Sequence, residues 1–463
     1  MSSRSILRPL FASSLLLAGL LAVVAAALAA PPPTFAITDV HLVPMDTERV
    51  EEGMTVLVRD GRIAAIGPRR VLPLPDDVEI IPGDGGYLLP GLAEMHAHIP
   101  GRSQGEQWLD DVLLLYLANG ITTARGMLGE PSHLALRDAI AGYERLGPRI
   151  YTSGPSLNGN SVDGPEDAAR QVREQAAAGY DFVKLHPGLT REEFDAIANA
   201  ATEAGIPFAG HVSVDVGLDR ALAAGQASID HLDGYIDALV PPATPLPESR
   251  GFFASALTDL ADRDRIEPVA VATREAGVWV VPTETLMENI ALPTPAEDLA
   301  ARPGTAYVPP RTLAGWVETK RRVLADDGYD AAAAERFIAL RKALIRGLHE
   351  AGARVLLGSD APQVFNVPGF SIHEELAAMV DAGLSPYEAL RSGTALPAVY
   401  FGAASRFGTI AIGRDADLIL VDGNPLNDLD VLRRPVGVMA RGVWLPRAEL
   451  DRRLEAIGAR HRD

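Results

Sequence analysis

Between residues 88 and 400 the chain repeats one pattern eight times: a short apolar run suited to a strand, then a longer stretch with helical character. Strands separated by helices cannot pair as tight hairpins, so this rhythm dictates parallel β/α units joined by crossovers. The runs are LLPGLAEMHAH from Leu88, GITTARGM from Gly120, PRIYTSGP from Pro148, YDFVKLHP from Tyr180, PFAGHV from Pro207, ASIDHLDG from Ala227, VWVVPTETL from Val278 and RVLLGSDAP from Arg354. Eight units suit an α/β fold of the (β/α)8 TIM-barrel type. An open doubly wound sheet is the alternative, but no glycine-rich dinucleotide fingerprint follows the early strands.

The helical stretches carry their own punctuation. Thr190 with Glu193 makes a capping-box pattern, and Gly205 stands where that helix should stop. Ser385-Pro386-Tyr387-Glu388 is a second start, with proline at the first helical position. Pro165, after Gly164, opens a third helix that should end at Gly179.

Strand texture of another kind flanks the repeat. Phe35 to Ile66 reads as short strands, with TVLVRDGRIAAIG turning at Asp60-Gly61. The same texture returns in GTIAIGRDADLILVDG (Gly408 to Gly423) and VGVMARGVWL (Val436 to Leu445). Segments 35–87 and 404–446 are therefore expected to form one small β-sandwich domain around a barrel of residues 88–403, with 447–463 left as a C-terminal helix or tail. Two proline-rich stretches, 237–267 and 291–316, follow strand ends on the face where barrel active sites lie. They read either as lids and substrate walls or as inert surface excursions.

Residues 1–30 stand apart: Arg4 and Arg8 precede an apolar stretch that ends in Ala27-Leu28-Ala29 before Pro31. That is the layout of a cleaved secretory signal, which places the mature chain outside the cytoplasm, secreted or periplasmic. An uncleaved anchor is the rival, since the run approaches the ~20 residues needed to span a bilayer. The chain has no cysteine, which removes disulfides and thiolate chemistry. Its net charge is −19, or −21 without Arg4 and Arg8, which disfavours binding to phosphate backbones and serves solubility.

The chemistry-bearing residues sit at the strand ends. In His96-Ala97-His98 the alternation of a strand turns both imidazoles to one side, within reach of one cation. His211 ends the fifth run, His231 the sixth and Asp360 the eighth. A lone buried histidine is usually a packed, hydrogen-bonded residue, but four with an aspartate on one barrel mouth are costly to bury unless a divalent metal compensates them. Lys184 ends the fourth run. An ammonium there would be repelled by cations, whereas a buried amine of lowered pKa can add carbon dioxide and present a carbamate instead. Read alone, Lys184 is better explained as a surface lysine near a strand end; its company argues otherwise.

HAH after PGL, the lysine, then GHV, IDHLDG and GSDAP resemble the amidohydrolase superfamily, in its imidazolonepropionase-like and prolidase-like branch. GRIAAIG, GITTARGM, HEELAAMVDAGLSPYEAL and GRDADLILVDGNPL extend the likeness over nearly the whole chain beyond residue 30. The resemblance implies a metal pair, usually zinc: His96, His98 and Asp360 on one ion, His211 and His231 on the other, and carboxylated Lys184 bridging them. It implies amide hydrolysis by a metal-bridging hydroxide, with Asp360 moving the proton. Deaminases and imidazolonepropionases of the superfamily place an acid shortly after the fifth-strand histidine. Here Val212-Ser213-Val214 follow His211, which favours the two-metal hydrolases.

The expected substrates are dipeptides or N-acyl amino acids, including ochratoxin-type aryl amides. A lactonase or cyclic amidase using the same site, and a metal-binding protein without turnover, are the alternatives. Tyr235, Arg125 and His186 are candidates for touching substrate, each with an ordinary packing or salt-bridge role as its rival. No nucleic-acid partner or stable membrane insertion of the mature chain is expected, and a homo-oligomer is left open.

Overall fold

The computed structural model describes residues 33–462. The signal segment expected at 1–30 lies outside the described residues. Among those described, no helix is long and apolar enough to cross a membrane.

The chain starts with β1 (Phe35–Leu42), β2 (Glu51–Arg59), β3 (Arg62–Pro68), β4 (Glu79–Pro82) and β5 (Tyr87–Pro90). β2 and β3 form the expected hairpin, and Asp60 and Gly61 both take positive φ, 52° and 72°. Two left-handed residues in succession match the turn to the twist of the strands it joins.

Eight parallel strands follow: β6 (Leu92–Ala97), β7 (Ile121–Gly126), β8 (Arg149–Thr152), β9 (Val183–Leu185), β10 (Phe208–Gly210), β11 (Ser228–Asp230), β12 (Trp279–Val281) and β13 (Arg354–Val355). Each falls within one of the eight runs read from the sequence. They pair as a β6-β7-β8 sheet and a β9-β10-β11-β12-β13 sheet. Parallel bridges Ser153↔Phe182 and Ala97↔Ala361 link the outer strands of the two sheets. The arrangement is mixed α/β and TIM-barrel-like, with strand residues such as Val183, Ile229 and Val280 buried in one large core with helix residues such as Phe194, Ile197 and Leu344.

The helix punctuation is as expected. Thr190/Glu193 and Ser385/Glu388 make reciprocal capping boxes, and Pro165 starts the helix Pro165–Ala178.

β14 (Leu418–Val421), β15 (Gly437–Ala440) and β16 (Val443–Pro446) return to the first five strands. All eight lie in one sheet of order β16-β15-β14-β5-β1-β2-β3, with β4 on β1. The two chain ends meet at β5–β14, where Leu88 pairs with Leu420 and Leu89 with Ile419. Ile37, Val56, Leu418 and Met439 share a separate apolar core there. Gly91 carries the chain from β5 into β6, and a Cβ on it would fall 2.1 Å from Thr122 Oγ1. Only glycine fits that approach. The closing helix Arg447–Arg460 buries Leu450, Leu454 and Ile457 against Leu115 and Leu117.

The two proline-rich stretches differ. In 291–316, Ala296, Leu299, Val308 and Trp316 are buried with Phe365 and Val367 in a small core of their own, a fixed layer beside the loop that follows Asp360. In 237–267 the chain passes through an irregular segment, Phe252–Leu260, anchored by buried Leu257.

One buried cluster ties the parallel strands to the terminal sheet: Arg149 of β8 reaches Asp417 at 2.7 Å and Asp415 at 3.0 Å. Removing the cation would leave buried Asp417 without its counter-ion, while Asp415 keeps Arg406 at 3.2 Å. Arg149→Met is expected to lower unfolding free energy by about 3–5 kcal/mol, measured by chemical denaturation.

Candidate metal centre

The C-terminal ends of the parallel strands deliver the side chains. His96 is on β6 and His98 just past it; Lys184 is on β9; His211, His231 and Asp360 follow β10, β11 and β13. His96, Lys184, His211, His231 and Asp360 are buried, and His98 is 16% exposed. The imidazole centroids stand 4.6 Å apart for His96–His231, 4.4 Å for His211–His231 and 5.6 Å for His96–His98. Among the described residues, His96, His231 and Asp360 bring ligand atoms within 4.8 Å of one another. His98 joins through Asp360, its Nε2 lying 3.0 Å from Oδ1. Thus the tightest grouping spans the two ligand sets implied by the resemblance, uniting His96 and Asp360 with His231.

Backbone strain accompanies this convergence. His231, Asp360 and Thr283 take φ of 63°, 64° and 51°. Left-handed backbone costs a non-glycine residue roughly 1 kcal/mol or more, and it persists where surrounding contacts over-determine it. Here those contacts are visible. Arg341, fully buried, donates to the carbonyls of His231 (2.8 Å) and Pro282 (3.0 Å) and pairs with Glu284 at 2.8 Å. Glu375 in turn accepts the backbone N–H groups of Glu284 and Thr285 at 2.9 and 2.8 Å. Across the mouth, Glu94 accepts the N–H groups of His96 and Ser359, joining β6 to the loop of Asp360. Burial pushes the Glu94 carboxyl up to about 7.

Hydrogen bonds orient two of the imidazoles. The Thr283 hydroxyl donates to Pro282 O at 2.7 Å, leaving its oxygen to accept from His231 Nδ1 at 2.8 Å. His211 Nδ1 donates to Asp233 Oδ2 at 2.7 Å. Both arrangements put the proton on Nδ1 and leave Nε2 with a lone pair. Burial holds His96 and His231 well below the ordinary histidine value, so their rings are neutral at neutral pH, as ligation requires. Burial opposes the charge on Asp360. The facing His96 and His98 and nearby Lys184 outweigh it and hold the carboxyl well below its usual range.

Lys184 is enclosed, with Nζ 3.5 Å from Asp230 Oδ2 and no hydrogen-bond partner. Burial draws its ammonium below the ordinary lysine value, against the pull of Asp230. Four buried atoms lack any hydrogen bond here: His96 Nδ1, Lys184 Nζ, Asp230 Oδ2 and Asp360 Oδ1. Buried polar groups in folded proteins are otherwise almost always satisfied. An oxygen- and nitrogen-rich cluster with neutral imidazoles fits divalent cations.

Two of the three substrate candidates need correction. Tyr235 is wholly buried, its hydroxyl 3.0 Å from Thr273 Oγ1 in the core. Arg125 is equally buried and its donors serve Met95 O, Ser228 Oγ, Tyr400 Oη and Asp230. Neither can meet a substrate. His186 is half-buried and stacks on His211 at 5.0 Å, and burial, then Lys184 and His211, depress its pKa to about 3. Asp230, Asp233 and Thr283 were missed. The first two lie in the same IDHLDG motif as His231, where an acid on either side of a ligand is the available signal; Thr283 has none.

The amidohydrolase family profile matches residues 87–445. The imidazolonepropionase of Shewanella baltica (strain OS185) is 26% identical over 415 residues, covering 83% of this chain and 91% of the relative. The ochratoxinase of Aspergillus niger is 23% identical over 467 residues, covering 86% and 83%. The solved structure of bottromycin amidohydrolase superposes with a TM-score of 0.71 at 28% identity, covering 93% of this chain and 92% of that one.

Because Asp233 fixes the His211 ring, Asp233→Ala is expected to weaken divalent-metal affinity by roughly 10–100-fold. Competition against a chelator measures it, and Thr283→Val should act in the same direction through His231.

Proposed function

This chain belongs to the amidohydrolase family, and we propose that it is a binuclear metal hydrolase of amide bonds in dipeptides or N-acyl amino acids. The observation that carries this reading is the set of four buried, unpartnered polar atoms amid imidazoles at the strand ends. His96, His98 and Asp360 are assigned to one cation, His211 and His231 to the other, and Lys184 to both as its carbamate. We take the metal to be zinc, the eight parallel strands to close as a (β/α)8 barrel, the terminal sheet to fold as a sandwich, and residues 1–30 to be a secretory signal.

Divalent cations at this position supply a polarised scissile carbonyl and a water acidified to near neutral pKa. The chain's part is to hold and move protons. Asp360, held anionic by the facing histidines, takes the proton of the attacking water and returns it to the leaving amine. Lys184, enclosed and with burial drawing its ammonium below the ordinary lysine value, attacks carbon dioxide through the nitrogen of its neutral amine. The N–C bond forms, one proton leaves, and the side chain becomes an anion. Arg125 stays beside Asp230 to balance the charge that results. After His211 the first acid is Asp215, behind Val212, Ser213 and Val214, and we read that spacing as favouring the two-metal hydrolases over imidazolonepropionase chemistry. The name of the ochratoxinase relative supports extending the substrate range to aryl amides.

A panel of N-acyl amino acids, X-Pro dipeptides and lactones tests the proposal. Wild type should hydrolyse the amides, and Asp360→Asn should lose about 10²–10⁴-fold in kcat with its metal content unchanged. Faster turnover of lactones than of every amide would transfer the site to ester chemistry.

A further inference from the structure

A cavity of about 520 Å³ opens beside the metal centre, and His211 forms part of its wall. Such a volume is ordinary for a small-molecule site. Leu189, Val212 and Val214, from the turns after β9 and β10, line it, as do Phe252 and Phe253 from the irregular segment. Val214 and Phe252 are 62% and 37% exposed, two large apolar side chains held in water in the lining of the same cavity. Scattered exposed apolar residues are normal; a pair in one cavity beside a reactive centre marks a binding surface.

Phe253 is the innermost of these. Its ring lies 5.5 Å from that of His231, 6.3 Å from His211 and edge-on to Phe252 at 4.7 Å. Its backbone is strained: Gly251, Phe253 and Ala254 take φ of 71°, 46° and 63°. A bulky residue keeps such a conformation only where the surroundings enforce it. Arg250, paired with Asp237, ties down one end of the segment, and Asp262 N donating to Leu239 O at 3.0 Å ties down the other. The strap thus holds an aromatic ring over the histidines.

The polar residues of the cavity say which half of a substrate belongs there. Asp215, Asp233 and Asp237 all line it. Arg250, the one guanidinium in the lining, is already paired with Asp237, and Asp233 is paired with His211, so three carboxylates outnumber the basic groups and the lining is net acidic. An N-acyl amino acid would have its carboxylate repelled from this side and its apolar acyl group admitted.

The geometry points to this cavity as the subsite for a ring-bearing apolar acyl group, with Phe253 as the residue that sets acyl specificity. The inference rests on the amide-hydrolase reading above, but its test separates the two. Dansylglycine, whose sulfonamide is not a substrate for amide hydrolysis, reports binding by fluorescence. N-(1-naphthoyl)glycine and N-acetylglycine report turnover. Wild type should bind dansylglycine saturably, and Val214→Asp, at an exposed position that leaves the core intact, should weaken it about tenfold, as should Phe253→Ala. Val71→Asp, exposed in the turn after β3, should leave binding unchanged. The naphthoyl substrate should be preferred in kcat/KM, and both cavity variants should erase that preference through KM. Saturable, Val214-sensitive binding without hydrolysis of either amide would keep the subsite and overturn only the amide reading. No saturable dansylglycine binding, binding insensitive to both cavity variants, or equal use of both amides by wild type would overturn the subsite.

Discussion

Placing Asp230, Asp360, Lys184 and four imidazoles together at one barrel mouth sets the terms for the rest of the molecule. Isolated charges in an apolar interior are too costly to persist, and each must be neutralised, paired or bound to an ion. The first two solutions are visible here, and a remainder is left for the third. His96 and His231 are neutral, Asp230 is held by Arg125, and Asp360 and Lys184 keep atoms that no protein group satisfies. Bound metal is what turns that remainder from a defect into a site.

The supporting structure is built around this cost. Arg341 and Glu375 lock the left-handed turns that carry His231 and Thr283, while Glu94 clamps the turn of Asp360 to the strand of His96. The terminal sheet contributes at one remove, through the β5–β14 pairing and the Arg149 cluster that fix the parallel strands from behind. Strain sits at the mouth and rigidity beneath it, the division expected of a pre-organised site.

Much of this was legible in the sequence because strand periodicity is local. The eight runs, the HAH pair and the strand-end positions of His211, His231 and Asp360 follow from neighbouring residues alone. Partners across the mouth do not. Thr283 orients His231 from 52 positions away, and nothing in PTET distinguishes that role from a helix start. Arg125 and Tyr235 point the same lesson from the other side. Each ends or follows a strand as a site residue would, yet whether a side chain faces the mouth or the core depends on the twist and pairing of strands. The two proline-rich stretches looked equivalent as sequence. One became a packed layer because Trp316 and Leu299 found Phe365, and the other became a strap carrying Phe253 over the histidines.

The most direct measurement is the metal-to-chain ratio of the purified protein, by mass spectrometry of the dissolved metal, for wild type and Lys184→Gln. The account predicts about two divalent cations per wild-type chain and one or fewer in the variant, which can form no carbamate. A full complement retained by Lys184→Gln, or none taken up by wild type, would contradict it.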